Sequence, residues 1–570
     1  MSDYSAFAQS NPGTDYPVKD ALLRAQLSLD TDKVDSAAPG YAFGYKRNTS
    51  AGLNVGYYGG IISVSDVKTL IADGTIALTA SSTNYVERTA AGVVSKNTIG
   101  YTAGKIPMFR AVTDVSNITG VTDDRQQNVM GDLGLTGTLK GVSASLSGDL
   151  LVGGTINAGT SNNIGVPGAR GFGVGICPAL PPGMFGLLGS LDVASDNYGN
   201  YQYSDGSIMC WIPAFYYKWG TGANGLAINA VDIKPLSAYG SVAAANVAGY
   251  ALHRAFYDNG AAQLGVFVDK FLTSNNGGIA SSIRFGKPLS TDAGHNPISG
   301  LTGTPANFYY GAITAAKTRG ANFFCASRFI RAALAMLAYA HAQASTSPAY
   351  CAWYSATYNT PKGCNNNALG DAQDASMLFL TDGYSNAVKT GSANNFAKTT
   401  HNGQNSGVAD LNGCMWEITP GLTTDGAGTT YYILKTGTAM KNVTGGNTGA
   451  TDLWGAAGLA ALYDSLGATY GAALASSTAK LYGAATQVLS EATSGNAWNW
   501  AGAGAPLAAG VGGTNAFGSD GFWDYRPADM CPLSGGDWNS SSSAGVWALT
   551  LDNVRGTSGT SVGFRAALYL

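Results

Sequence analysis

The chain has 570 residues, of which 45% are hydrophobic and 12% charged, with a formal net charge of −3. That length exceeds what one core supports, so about two to four domains are expected, and the apolar content excludes global disorder. The mildly acidic balance gives no mass attraction for phosphate backbones, and no window approaches the roughly 18 apolar residues of a membrane span.

Charged residues are about half as frequent as in ordinary soluble proteins, and glycine, at 78 residues, about twice as frequent. An uncharged, hydrogen-bonding surface with many tight turns follows. The opening "MSDYSAFAQSNPGTDYPVKD" has neither the basic nor the apolar region of a secretory signal. If the protein acts outside a cell, it is expected to leave by lysis or within a particle. Nucleic acid is not an expected partner. The seven cysteines, Cys177, Cys210, Cys325, Cys351, Cys364, Cys414 and Cys531, form no CxxC pair. They read as buried thiols, with a Cys351–Cys364 bridge left open.

In chain order, residues 1–55 read as an N-terminal segment with one helical pattern, "YPVKDALLRAQLSLDTDK". Residues 56–130 carry short alternating runs between Asn, Gly and Ser turns and read as a small β domain. Residues 131–165 repeat apolar positions (Leu135, Leu139, Val142, Leu146, Leu150, Val152, Ile156) among small polar ones. One strand that thin cannot bury its apolar edge alone, so an intertwined shaft of several chains, three by preference, is expected over a Gly-rich linker. Aromatics then enter with "YSDGSIMCWIPAFYYKWG", opening a large mixed domain over 166–570. Within it, helices are predicted over about 325–343, after a Gly-broken first helix, and in the Ala-rich stretch 451–492. The predicted fold class is multidomain and mainly β, with an α+β tip.

Three motifs carry a resemblance: "HNGQNSGVADLNGCMWEITPGL" (His401–Leu422), "GGDW" (Gly535–Trp538) and "VGFRAAL" (Val562–Leu568). They resemble, in order and spacing, the "ADLxGNVWEW", "RGGSW" and closing "GFR" segments of the sulfatase-modifying-factor family, which has a C-type-lectin-like fold. Within it the chain is similar to phage tail-fibre receptor-binding proteins of the tropism-determinant type. The likeness covers roughly 170–570; the stretch 220–320 matches nothing and is either an insertion or part of the tip. The resemblance implies tail attachment through the N-terminus, a homotrimer, a place in the virion, and a bacterial surface glycan or protein as receptor. The side chains agree with a scaffold. Trp416 and Trp538 have the bulk to seal a small core, and Arg565 presents a forked donor set expected to pair with Glu417, with Asp410 the next nearest acid.

Catalysis is not expected. The copper oxidases of that family use two cysteines near the last motif, where this chain has "NSSSS" with Cys531 alone upstream. Cys414 replaces the Asn of a calcium-associated motif, and a thiol is a poor calcium ligand. No metal or cofactor is therefore expected. His253, His295, His341 and His401 are isolated; no GxSxG occurs in a strand-turn-helix setting, no Walker loop is present, and "GVGG" at Gly510–Gly513 lacks the phosphate-binding Lys. Paired carboxylates from distant loops, with Asp371, Asp374 and Asp382 as candidates, keep a tailspike polysaccharide-cleaving enzyme as one alternative. A cellular ligand-binding protein of the same fold is another.

The candidate receptor-binding residues are Asp537, Asn539, Ser540, Ser541, Ser542, Ser543, Trp547, Thr550, Asp552, Gly556, Thr557, Ser558, Gly559, Thr560 and Ser561, with Trp523 and Tyr525 as aromatic anchors. Trp498 and Trp500 lie close in sequence. Asp, Ser, Thr and Gly are the types reached from AAC asparagine codons by changing adenines. The resemblance thus implies a tip open to retroelement diversification. Trp547 does not arise that way and reads as a fixed core or anchor residue.

Overall fold

The structure, a computed structural model, describes residues 43–124 and 163–570 apart from 65–66, 302–307, 346–347, 355–367, 372–373, 412, 444–458, 468–479, 484–486, 508–516 and 526. The predicted N-terminal helix, Cys364, and all of the predicted shaft except 163–165, a short 3-10 turn, lie outside the described residues. The chain divides into two compact units, Met1–Leu150 and Leu151–Leu570.

The first unit is β throughout its described part. One sheet orders Tyr45–Ala51, Asn54–Tyr57 and Gly74–Ala77; a four-stranded sheet orders Val94–Asn97, Thr83–Arg88, Ile106–Thr113 and Ile118–Asp123. The predicted boundary at 55/56 is corrected, because Tyr45 pairs with Tyr57 across it. The core is Phe43, Val55, Ile62, Leu78, Val86, Met108, Phe109 and Ala111. A register shift between Val86 and Glu87 puts two consecutive residues inside. The buried Glu87 carboxylate accepts from Thr102 N (2.7 Å) and Lys105 Nζ (3.1 Å).

Two six-stranded sheets organise the second unit. The first, wholly antiparallel, orders Met184–Gly186, Asn200–Tyr203, Ile208–Pro213, Gly265–Asp269, Ala566–Leu568 and Phe324–Cys325. The aromatic run at 203–220 supplies Ile208–Pro213 and the neighbouring strand Phe215–Trp219, buried along nearly their whole length. Buried-on-both-faces strands need such continuous apolar runs. The stretch 220–320 is built into this sheet, since Gly265–Asp269 pairs with Ile208–Pro213 on one side and Ala566–Leu568 on the other.

The second sheet is mixed, ordering Lys480–Leu481, Gly521–Trp523, Leu549–Thr550, Leu533–Ser534, Trp416–Ile418 and Val562–Gly563. The closing motif therefore serves both sheets: Val562–Gly563 pairs with Trp416–Glu417, and Ala566–Leu568 with the first sheet. Phe564 and Arg565 are the residues between.

The helix predicted over 325–343 is Arg328–Ala344, capped by Ser327, whose hydroxyl accepts from Ile330 N. Fifteen of its residues are buried, which its many alanines permit. The Gly-broken first helix is Phe308–Ala316, followed by a 3-10 turn ending at Gly320. The helices predicted over 451–492 are corrected within the described residues. Leu459–Leu462 makes one turn, and Tyr463–Gly467 is a strand paired with Tyr431–Leu434. Tertiary pairing overrides alanine's helix preference here; Tyr463 is buried, its hydroxyl 2.9 Å from that of Tyr309.

Candidate functional site

Beneath the last two motifs lies a buried charge network. Arg565 Nε donates to Glu417 Oε2 (2.8 Å), the predicted pair, and Arg331 Nη1 to Glu417 Oε1 (2.8 Å). Arg565 also donates to the carbonyls of Asp269, Lys270 and Ala409, and Arg331 to that of Leu411. Asp410 lies beside them, fully buried and accepting from Gly391 N (2.9 Å). Burial raises its carboxyl to about 6 against the pull of Arg565.

This network holds the bases of two polar loops. In the first, Gly535 N donates to Ala548 O and Gly545 N to Gly535 O, closing the loop neck. Asp537 is buried and serves the loop itself: its Oδ1 accepts from Asn539 N (3.0 Å) and Ser540 Oγ (2.9 Å). Ser541–Ser543 form one 3-10 turn. Asn539 and Ser542 are exposed, while Ser540, Ser541 and Ser543 are half-buried.

The second loop, Gly556–Ser561, is pinned along its length. Thr557 O accepts from Phe308 N (2.7 Å), Gly559 N donates to Thr291 Oγ1 (2.9 Å), and Ser558 Oγ to Asp292 Oδ2 (3.2 Å). The Ser561 carbonyl accepts from Trp416 N (2.9 Å). Just before it, buried Arg555 ion-pairs with Asp529. His295 completes the clamp: Nδ1 donates to Thr560 O (2.7 Å) and Nε2 lies 2.6 Å from Asp382 Oδ2, with the Tyr384 ring stacked at 4.3 Å. Both ring nitrogens face oxygen atoms. Burial pushes the Asp382 carboxyl up, but the bonds from His295 and Tyr384 N outweigh it and leave it below the usual range. Neither nitrogen is left for a hydroxyl nucleophile.

Two half-buried indoles, Trp416 and Trp523, pack edge-to-face at 5.6 Å. The Trp523 ring folds back over Gly521, where a Cβ would lie 2.4 Å from Trp523 Cη2 and 3.1 Å from Ser543 Cβ. Only glycine leaves room there. Ser543 therefore lies close to the Trp523 ring, while Ser561 meets Trp416 through the backbone bond alone.

The other candidates divide by burial. Gly556 and Ser558 are exposed; Thr557, Gly559, Thr560, Ser561 and Asp552 are half-buried; Tyr525 is 39% exposed. Three candidates are corrected as surface residues. Trp547 is 1% exposed and packs among Trp219, Tyr339, Tyr482 and Phe517; Asp537 and Thr550 are also buried. Trp498 and Trp500 are core too, against Tyr257 and Tyr431. Trp416, read from sequence as a core seal, is half-exposed, whereas Trp538 is buried with Leu272, Phe379, Cys414 and Met415. The clamp residues Thr291, Asp292, His295 and Asp382 carried no sequence signal for this role; the first three meet Gly559, Ser558 and Thr560 across 265 to 268 residues of sequence, and Asp382 acts through His295.

Of the counted carboxylates, Asp371 accepts from Asp374 N (3.1 Å). Asp374 is ion-paired with Lys398, and Asp382 with His295. Among the described residues, no group of three or more His, Cys, Asp or Glu could hold a metal ion, and no helix is long and apolar enough to cross a membrane. The six described cysteines are free and buried.

No family model and no curated protein matches the chain. Among solved structures it is similar to the Major Tropism Determinant U1 variant, at 11% identity and a TM-score of 0.24, covering 95% of this chain and 87% of that one. The I1 variant of the same protein is 12% identical with a TM-score of 0.25, covering 94% and 87%.

Proposed function

We propose that this chain is a phage tail-fibre protein that binds a receptor on the bacterial surface through the two loops at 537–543 and 556–561. In this reading 166–570 is a C-type-lectin-like tip, 131–165 associates three chains, the N-terminus attaches to the tail or baseplate, and the protein resides in the virion. The chain binds and is not an enzyme. The supporting observation is that both hydroxyl-rich loops are pinned, one closed at its neck and the other held along its length, with Ser543 close to the half-buried Trp523 ring. Rigid elements carrying polar loops are how binding residues are commonly presented. An uncharged hydroxyl face gives modest affinity per tip, which three tips on each of several fibres raise by avidity.

The test is adsorption of the full chain to host cells beside a variant with Asn539→Arg, Ser542→Arg and Gly556→Arg, all at exposed positions. Loss of adsorption with an unchanged melting temperature is expected. Equal adsorption by a folded variant overturns the loop assignment. Release of oligosaccharide from host envelope overturns the non-enzymatic reading. Diversification is tested separately by sequencing for an Asn-enriched near-duplicate of the gene's 3′ segment.

A further inference from the structure

A polar cavity of about 670 Å³ lies in the second unit, lined among others by Asp196, Asn197, Lys270, Arg284, Asn395 and Asn405. No residue of the two loops lines it. That volume falls within the range of small-molecule sites.

Two cations and one acid line it. Lys270 is only 6% exposed, and its ammonium donates to Asn200 Oδ1 and Asn405 O without an ion pair among the described residues. A buried cation normally has a carboxylate partner. The acid lining the cavity, Asp196, instead accepts from Asn405 Nδ2 (3.0 Å). Arg284 is exposed; its Nε donates to Gly391 O (3.0 Å), leaving both Nη groups without a partner among the described residues. Lys270 Nζ and Arg284 Cζ lie 5.4 and 5.0 Å from the centroid of the same Phe396 ring. Two cations thus share one aromatic ring with no acid paired to either. Lys270 and Arg284 against Asp196 leave one net positive charge. That suits a singly charged carboxylate better than a doubly charged phosphate. The Asn395 side chain is exposed and also unpartnered among the described residues, and Asn197 donates to Leu188 O with its amide oxygen still available.

We propose that this cavity binds an acidic sugar, with Arg284 gripping the carboxylate, Lys270 supplying charge behind it, and Asn197 and Asn395 bonding ring hydroxyls. A planar guanidinium fork matches a carboxylate, and amides match hydroxyls as donors and acceptors. The site is independent of the loop face and stands whether or not that face binds a receptor.

The experiment titrates the full chain with digalacturonate, the neutral galactose disaccharide and galactose 1-phosphate, read by calorimetry or ligand-observed NMR. Arg284→Gln is the test variant, since Arg284 is exposed and its loss leaves the core intact; the triple loop variant is the control. Saturable digalacturonate binding, weakened about tenfold or more both by Arg284→Gln and by replacing the acid with the neutral sugar, is expected. The loop variant is expected to bind digalacturonate as wild type does, whatever becomes of its adsorption. Absence of saturable binding, equal binding of the neutral sugar, or full binding by folded Arg284→Gln overturns the proposal. Tighter binding of galactose 1-phosphate overturns the carboxylate assignment.

Discussion

Glu417 shows how one side chain can serve several elements at once. Its two carboxylate oxygens each receive a different arginine, and all three groups are nearly inaccessible. Removing the charge leaves two buried guanidiniums short of a counterion. Glu417→Gln is therefore expected to cost about 3–5 kcal/mol in urea unfolding. Asp410 behaves oppositely. Its carboxyl is raised to about 6 by burial, so the folded state resists its ionisation. The stability tied to its proton is fully present below its ordinary 3.8 and is lost as pH rises through about 6. Asp410 also sits at φ 56°, a conformation asparagine tolerates. Asp410→Asn should therefore gain in melting temperature relative to wild type between pH 4 and pH 7; a constant difference across that range refutes this account. At this scale the sequence was informative. "GFR" beside "MWE" predicts the Arg565–Glu417 pair because a buried guanidinium requires an acid. Arg331 as the second partner was not legible, since nothing within a helix marks which face meets a distant strand.

The polar loops, at the scale of elements, owe their order to contacts from elsewhere. Ser540–Ser543 are closed by Asp537, and Gly556–Ser561 by Thr291, Asp292 and His295. His295→Ala removes the bond to Thr560 O and leaves Asp382 without its imidazole partner. Amide exchange at 557–561 is expected to quicken while the helix Arg328–Ala344 keeps its protection; uniform quickening would show that the clamp is part of the global core. The strands and the long helix were readable from alternation and from alanine-leucine spacing. The Ala-rich stretch was misread because local propensity says nothing about Tyr463 pairing with Leu434. Trp547 was ambiguous for a related reason. An aromatic beside a polar loop fits an anchor or a core residue equally, and only the ring cluster around it decides.

Across the whole molecule, three buried histidines contribute to the response to acid. Burial lowers His253 to about 3, and His341 and His401 to about 4, from 6.5. His341 and His401 each accept a backbone N–H at Nδ1 and donate from Nε2 to a carbonyl, which suits a neutral ring. The unfolded chain takes up their protons first. Their contribution is present above about 6.5 and is lost as pH falls toward 4. Asp410 opposes with one proton, so three minus one leaves a net uptake of about two protons on unfolding from these four groups. Melting temperature should fall between pH 6.5 and 4, and replacing His401 with Gln should flatten that slope. A slope unchanged in the variant would remove His401 from the set.

The closing strand has a mechanical consequence. A pull on Ser558 or Thr560 travels along 562–568, whose first residues are bonded into one sheet and whose last into the other. Load along that segment is resisted in shear by ladders on both sheets together, so it cannot peel away one bond at a time. A loop anchored this way can be tugged without being drawn out of its fold.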